Sequence, residues 1–192
     1  GAWLTADRAL VDLAVKKRLF SRAFRQPVEV EPALADRLEA LLARRLIDLV
    51  SLARKAGQAV TGAEKVRARI KDGTAGVLLQ AADGSDDGRA KLRALARAAG
   101  DGRIVEIEVL TASELGLAFG REFAIHAALD AGGFAARVSA DARRLAGMRG
   151  GSRPGGQADE AGTDDLTGRA PDVSGNTDNT ASTGGAREQD DL

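Results

Sequence analysis

Catalysis needs a nucleophile, a base or a metal, and this sequence carries few of the parts. It holds one histidine and no cysteine, which leaves the usual nucleophile–base pairs and thiolate zinc sites unbuilt. That histidine, His126, falls in a run where Phe123, Ile125, Ala127 and Leu129 alternate. A lone strand histidine on the face opposite Phe123 and Ile125 reads as a packed, hydrogen-bonded residue rather than a catalytic one. Asp83, Asp86 and Asp87 cluster at a strand-to-helix turn. Metal ligation is chemically conceivable there, but an N-cap with first-turn carboxylates opposing the helix dipole accounts for all three. Gly73-Thr-Ala-Gly76 and Gly151–Gly156 lack the Lys-Ser/Thr of a P-loop and the strand-Gly-helix order of a dinucleotide fingerprint. The expectation is a protein that is not an enzyme, with no cofactor, no metal and no small-molecule substrate.

Binding chemistry is better supplied. Gly62 precedes a segment carrying Lys65, Arg67, Arg69 and Lys71 on both sides of a Val66–Ile70 seam. Free N–H groups at a helix start, with basic side chains nearby, suit a phosphate backbone. Arg54 and Lys55 stand just before Gly57 and extend the basic set. A second cluster, Lys16, Lys17, Arg18, Arg22 and Arg25, lies near the N-terminus, where solvated helix face and nucleic-acid contact are both open readings. One Trp and no Tyr argue against base stacking on a sheet face, so phosphate contact and shape readout are favoured. The zero net charge hides an asymmetry: residues 151–192 hold nine acids against three arginines, leaving 25 basic and 19 acidic residues before them. A basic body with an acidic tail suits a nucleic-acid partner, because phosphate contact releases counterions.

These residues must be positioned by elements that the pattern outlines. Thr5 is a candidate N-cap for a first helix with Leu10, Ala14 and Val15 as its stripe, followed by an extended piece from Pro27 to Val30. One helix cannot bury a core, so residues 1–30 must dock on something. Glu31-Pro32 opens a long helix faced by Leu34, Leu38, Leu41, Leu42, Leu46 and Leu49, ending near Lys55, with room for a break at Arg44–Asp48. Then come a strand at Ala59–Thr61, a helix at Ala63–Lys71, a strand at Gly76–Ala81, and a helix at Asp83–Ala99. A half-exposed strand at Val105–Val109, a capping box at Thr111–Glu114, a strand through Phe123–Leu129 and a helix at Phe134–Leu145 complete the order. Helices separating the strands argue for a small sheet covered on both faces. From Gly150 onward the chain is rich in Gly, Ser, Thr, Asp and Asn with few large aliphatics, a composition that predicts disorder.

No apolar run approaches the length of a membrane span, and GAWLTADRALV lacks the order of a signal peptide. With no cysteine, the cytoplasm is the expected compartment. The chain opens on Gly1, which implies a processed start or a piece of a longer protein.

At this point two motifs carry a family resemblance. Ala56-Gly57, Val60-Thr61-Gly62, Gly73 and the strand to Ala82-Asp83 form the first. Val109-Leu110-Thr111-Ala112-Ser113-Glu114-Leu115-Gly116, Ala118, Gly120 and Gly133-Phe134-Ala135 form the second. Over residues 46–140 they resemble the kink-turn RNA-binding superfamily, which includes the archaeal ribosomal protein L-seven-Ae and its bacterial YlxQ-like relatives. Gly1-Ala2-Trp3-Leu4-Thr5-Ala6-Asp7, Lys16-Lys17-Arg18 and Phe20-Ser21-Arg22-Ala23-Phe24 resemble the second half of a YlxR-type nucleic-acid-binding domain. The whole is similar to a bacterial YlxR–YlxQ-like fusion. The resemblance implies an α/β fold: a three-layer α-β-α sandwich with a four-stranded mixed sheet. It implies a partial YlxR-like α+β segment at 1–30, a connecting helix at 31–45, an RNA-binding domain at 46–148 and a disordered acidic tail at 149–192.

Taken with the basic helix start, the expected RNA-binding residues are Gly62, Glu64, Lys65, Arg67, Arg69, Arg54, Lys55, Leu110 and Thr111. The YlxR-like basic surface is Lys16, Lys17, Arg18, Arg22 and Arg25. Kink-turn binders carry Gly-x-Asn-Glu with a Lys further along the helix. Here Glu64 stands at the Asn place, Lys65 at the Glu place and Ala68 at the Lys place, which implies a kept scaffold with changed specificity. The expected partner is structured RNA, such as ribosomal RNA, in an accessory factor of bacterial translation or transcription. A DNA-binding regulator acting through the N-terminal basic helix, and a protein-interaction module using the acidic tail, remain as alternatives.

Overall fold

The computed structural model describes residues 2–100 and 102–150. The tail expected to be disordered lies, from residue 151 on, outside the described residues. Four strands, β1 (Ala59–Thr61), β2 (Ala75–Gln80), β3 (Val105–Ile107) and β4 (His126–Asp130), form one sheet in the order β1-β4-β2-β3. β4 runs antiparallel to both of its neighbours, while β2 and β3 are parallel. The helices are α1 (Arg8–Lys16), α2 (Leu19–Phe24), α3 (Leu34–Lys55), α4 (Ala63–Lys71), α5 (Asp86–Gly100), α6 (Ala112–Phe119) and α7 (Gly133–Arg149).

Alternation of side chains across the pleat builds two cores. Val77, Leu79, Ile107, Ala127 and Leu129 point to one face and pack with Leu46 and Val50 of α3, Leu115 of α6, and Val138 and Leu145 of α7. Leu78 and Ala128 point to the other face and meet Val66 and Ile70 of α4 and Leu92 and Ala96 of α5. Each fully buried Val, Leu or Ile contributes about 1.5–3 kcal/mol. The expected three-layer sandwich with a four-stranded mixed sheet is therefore the fold.

Several boundaries differ from the sequence expectation. Asp7 rather than Thr5 caps α1, its side chain accepting from the Leu10 N–H at 3.1 Å. Val11 and Ala14 face inward, whereas Leu10 is exposed. A second short helix, α2, follows, bracketed by Arg18 and Arg25 at positive φ. α3 starts at Leu34, after a turn containing Pro32, and continues through Arg44–Asp48 without a break. α5 starts at Asp86, three residues later than expected, and α7 continues past Leu145 to Arg149.

β3 ends at Ile107, and the last strand begins only at His126. Phe123 therefore lies outside the strand and is 62% exposed. The reason is α6: a Cβ at Gly116 would stand 2.7 Å from the Phe123 Cα, so the returning chain crosses that helix before it can pair.

The N-terminal segment docks through α1, while α2 buries no residue. Val11, Ala35 and Met148 form a third small cluster where α1 meets α3 and α7. Arg8 fastens the contact, donating to the Met148 carbonyl at 2.9 Å and pairing with Asp36 and Glu39.

Candidate nucleic-acid interface

β1 delivers the chain to Gly62, where φ is +99°, a conformation that penalises any side chain. No side chain caps the start of α4, so its first N–H groups face outward unpaired by a cap. Burial of Val66 and Ile70 turns the remaining positions of α4 away from the sheet. Lys65 and Lys71 are exposed and make no ion pair among the described residues. Arg67 pairs with Glu64 on its own helix, and Arg69 with Asp130 of β4. Arg69 also donates to the Gly57 carbonyl at 3.3 Å.

A set of hydrogen bonds gathers four segments at the Gly62 end of the sheet. Thr61 Oγ1 and the Gly62 N–H both donate to the His126 carbonyl, at 2.8 and 3.1 Å. The Ala81 N–H donates to the Ile125 carbonyl at 2.9 Å and the Ala82 N–H to that of Leu110 at 2.8 Å. The Ala112 N–H donates to Asp83 Oδ1 at 2.7 Å. Asp83 thus caps α6 across space and not α5, whose first turn holds Asp86 and Asp87. Gly62, Glu64 and Lys65 are brought to the same end of the sheet as Leu110 and Thr111. Leu110, however, is only 2% exposed and presents backbone there, not a side chain. The Thr111 hydroxyl is engaged in the capping box, accepting from the Glu114 N–H at 3.2 Å.

Arg54 and Lys55 are not part of this group. They precede β1 while Gly62 follows it, and the Arg54 guanidinium lies against Gly120 at the far end of α6. Lys16, Lys17, Arg18, Arg22 and Arg25 are all exposed, with no ion pair among the described residues. α1 packs on the α3–α7 layer, so this cluster belongs to the side of the sheet opposite α4. Two separate basic surfaces result.

His126 is half-buried, and its Nδ1 has no partner among the described residues. Burial, reinforced by the nearby Arg67 charge, pushes the imidazole below the ordinary histidine value. The ring is half-buried, but the hydrogen bonding that the sequence leads one to expect is missing at Nδ1 among the described residues. Arg149 holds the Glu114 carboxyl below the ordinary carboxylate range, and the Thr111 N–H bond adds to this. Arg149 and Glu39, which brace this end from behind, escaped the sequence reading. They act over separations of 35 and 110 residues, for which no local spacing gives a signal.

The architecture defines the class: a three-layer α/β/α module with a basic helix, α4, across one face of the sheet. No protein-family model matches the chain, and no curated protein matches it. Among solved structures, a protein of unknown function from Bacillus halodurans is similar at 21% identity and a TM-score of 0.45, over 50% of this chain and 95% of that one. The Giardia lamblia 15.5kD RNA binding protein is similar at 20% identity and a TM-score of 0.39, over 57% of this chain and 88% of that one.

Proposed function

We propose that this chain is a non-catalytic RNA-binding protein, an accessory factor of bacterial translation or transcription that contacts structured RNA through its phosphates. The observation that carries the reading is α4. It begins at an uncapped Gly62, buries its apolar seam, leaves Lys65 and Lys71 exposed and holds Arg67 and Arg69 half-buried in ion pairs. Uncapped N–H groups and basic side chains favour phosphate oxygens without demanding base stacking. The motif positions around Gly62, Gly73 and Thr111–Gly116 support the same reading by resemblance. Glu64 and Lys65, in place of the Asn-Glu pair, favour backbone contact over base-specific reading.

The test is a gel-shift titration of a structured RNA at low salt, with Lys65→Ala, Arg67→Ala and Arg69→Ala combined. Binding that weakens in the triple variant supports the reading, and no binding by the unaltered protein ends it.

A second reading is favoured by one observation: the five exposed basic residues of the α1–α2 segment lack ion pairs among the described residues. It assigns that surface to duplex DNA. In the same assay, tighter binding of duplex DNA than of RNA, lost when Lys16, Lys17 and Arg18 become Ala, would favour it.

A further inference from the structure

The outer faces of α3 and α7, on the side of the sheet away from α4, leave a groove of about 630 Å³. One wall is Leu41, Arg44, Arg45, Asp48, Leu49 and Leu52 of α3. The other is Arg137, Ala140, Asp141 and Arg144 of α7. Both walls repeat at the three- and four-residue spacing that puts side chains on one helical face. Leu41 and Leu52 are 59% and 52% exposed, although each lies on a helix whose other side fills the core. From Leu41 to Leu52 the α3 wall runs about 16 Å, or roughly three helical turns.

Charge gives the groove a sign. Four arginines line it against two carboxylates. Asp141 is buried and already engaged by Arg45 at 2.8 Å and Arg144 at 2.6 Å. Asp48 is held by Arg44 at 3.2 Å. Arg137 makes no ion pair among the described residues and lies over the Phe134 ring at 5.8 Å. The rim therefore keeps a positive excess around an apolar floor.

We propose that this groove docks an acidic amphipathic helix of a partner protein. The ridges of two packed helices form a furrow into which the ridge of a third fits. An apolar stripe on the partner would cover Leu41 and Leu52, and flanking Glu or Asp would meet the arginine rim in forked hydrogen bonds. A second copy of this chain does not supply the ligand from α1, whose exposed Leu10 and Leu13 share their helix with basic residues. Because α4 lies on the opposite layer, partner and RNA can be held together, making the chain an adaptor.

The experiment uses fluorescence anisotropy on the full chain. The probe is a labelled synthetic helix of about four turns, with leucines at three- and four-residue spacing and flanking glutamates. A scrambled peptide and a lysine-flanked peptide are controls. The glutamate peptide should bind at least about tenfold tighter than either control and weaken by about tenfold in Leu52→Gln and in Arg137→Glu. Both residues are exposed, and circular dichroism reports whether each variant keeps its fold. Binding no tighter than the scrambled control, or unchanged in both folded variants, overturns the proposal. So does a structured RNA that displaces the peptide and crosslinks to Arg137, which would assign the groove to RNA.

Discussion

Arg149, in the last turn of α7, grips Glu114, near the start of α6, with both terminal nitrogens at 2.9 and 2.6 Å. Its Nε reaches Glu39 at 3.0 Å, and Glu39 in turn holds Arg8 at the start of α1. Glu114 also accepts from the Thr111 N–H at 2.9 Å. One guanidinium thereby ties the N-terminal helix, the long α3 and the capping box of the sheet-end loop into a single network.

Replacing Arg149 with Met should cost about 2–3 kcal/mol, as expected for hydrogen bonds between charged, largely covered groups. The Glu114 carboxyl titrates lower folded than unfolded. Its contribution is therefore complete above the ordinary carboxylate range and is lost as pH falls through the folded value. Urea unfolding at neutral and acid pH should show the gap between the variant and the unaltered protein closing on acidification. A gap that stays constant would detach Glu114 from the effect.

A methyl group at Gly147 would collide with the Ala6 carbonyl oxygen, because the N-terminal segment crosses α7 at that point. Gly147→Ala should leave the sandwich folded while loosening residues 2–30. Limited proteolysis should then cut ahead of α3 sooner than in the unaltered protein. Equal cleavage rates would show that the segment is held elsewhere.

Gln80 is 1% exposed and both of its amide atoms lack a partner among the described residues. A buried amide without hydrogen bonds costs about 1–3 kcal/mol. Gln80→Met should accordingly raise the midpoint of thermal unfolding, and a fall in that midpoint would show that the amide is satisfied in solution.

The single histidine gives one NMR titration curve. Its midpoint should fall below that of a free histidine, because burial and Arg67 disfavour the charged ring. Lowering pH through the unfolded value should therefore reduce stability, the loss levelling off below the folded value. A midpoint at or above the free value would contradict this environment.

How far the sequence discloses the fold depends on the range of the deciding interaction. α4 is legible to its ends because Gly62 and Gly73 punctuate it and Val66 and Ile70 mark its inner side. The capping box is legible because Thr111 and Glu114 are three residues apart. The sequence places the cap of α1 at Thr5, whereas the geometry gives it to Asp7, two residues further on. The false strand start at Phe123 follows from alternation that tertiary packing over Gly116 overrides. α2 hides because Arg18 and Arg25 adopt positive φ, which local propensity assigns to Gly or Asn. Of the candidate site, the basic types on α4 are legible, whereas their neutralisation is not. Arg69 meets Asp130 from 61 residues away, which leaves Lys65 and Lys71 as the uncompensated charges of α4.

That distinction makes Lys65 and Lys71 the sharpest probes of the central claim. The decisive measurement is the affinity for a structured RNA as a function of salt, for the unaltered protein and for Lys65→Ala with Lys71→Ala. The account predicts a steep linear fall of log affinity with log salt, with the slope reduced by roughly 0.7–0.9 for each lysine removed. An identical slope in the double variant, or no RNA binding at the lowest salt, would contradict it.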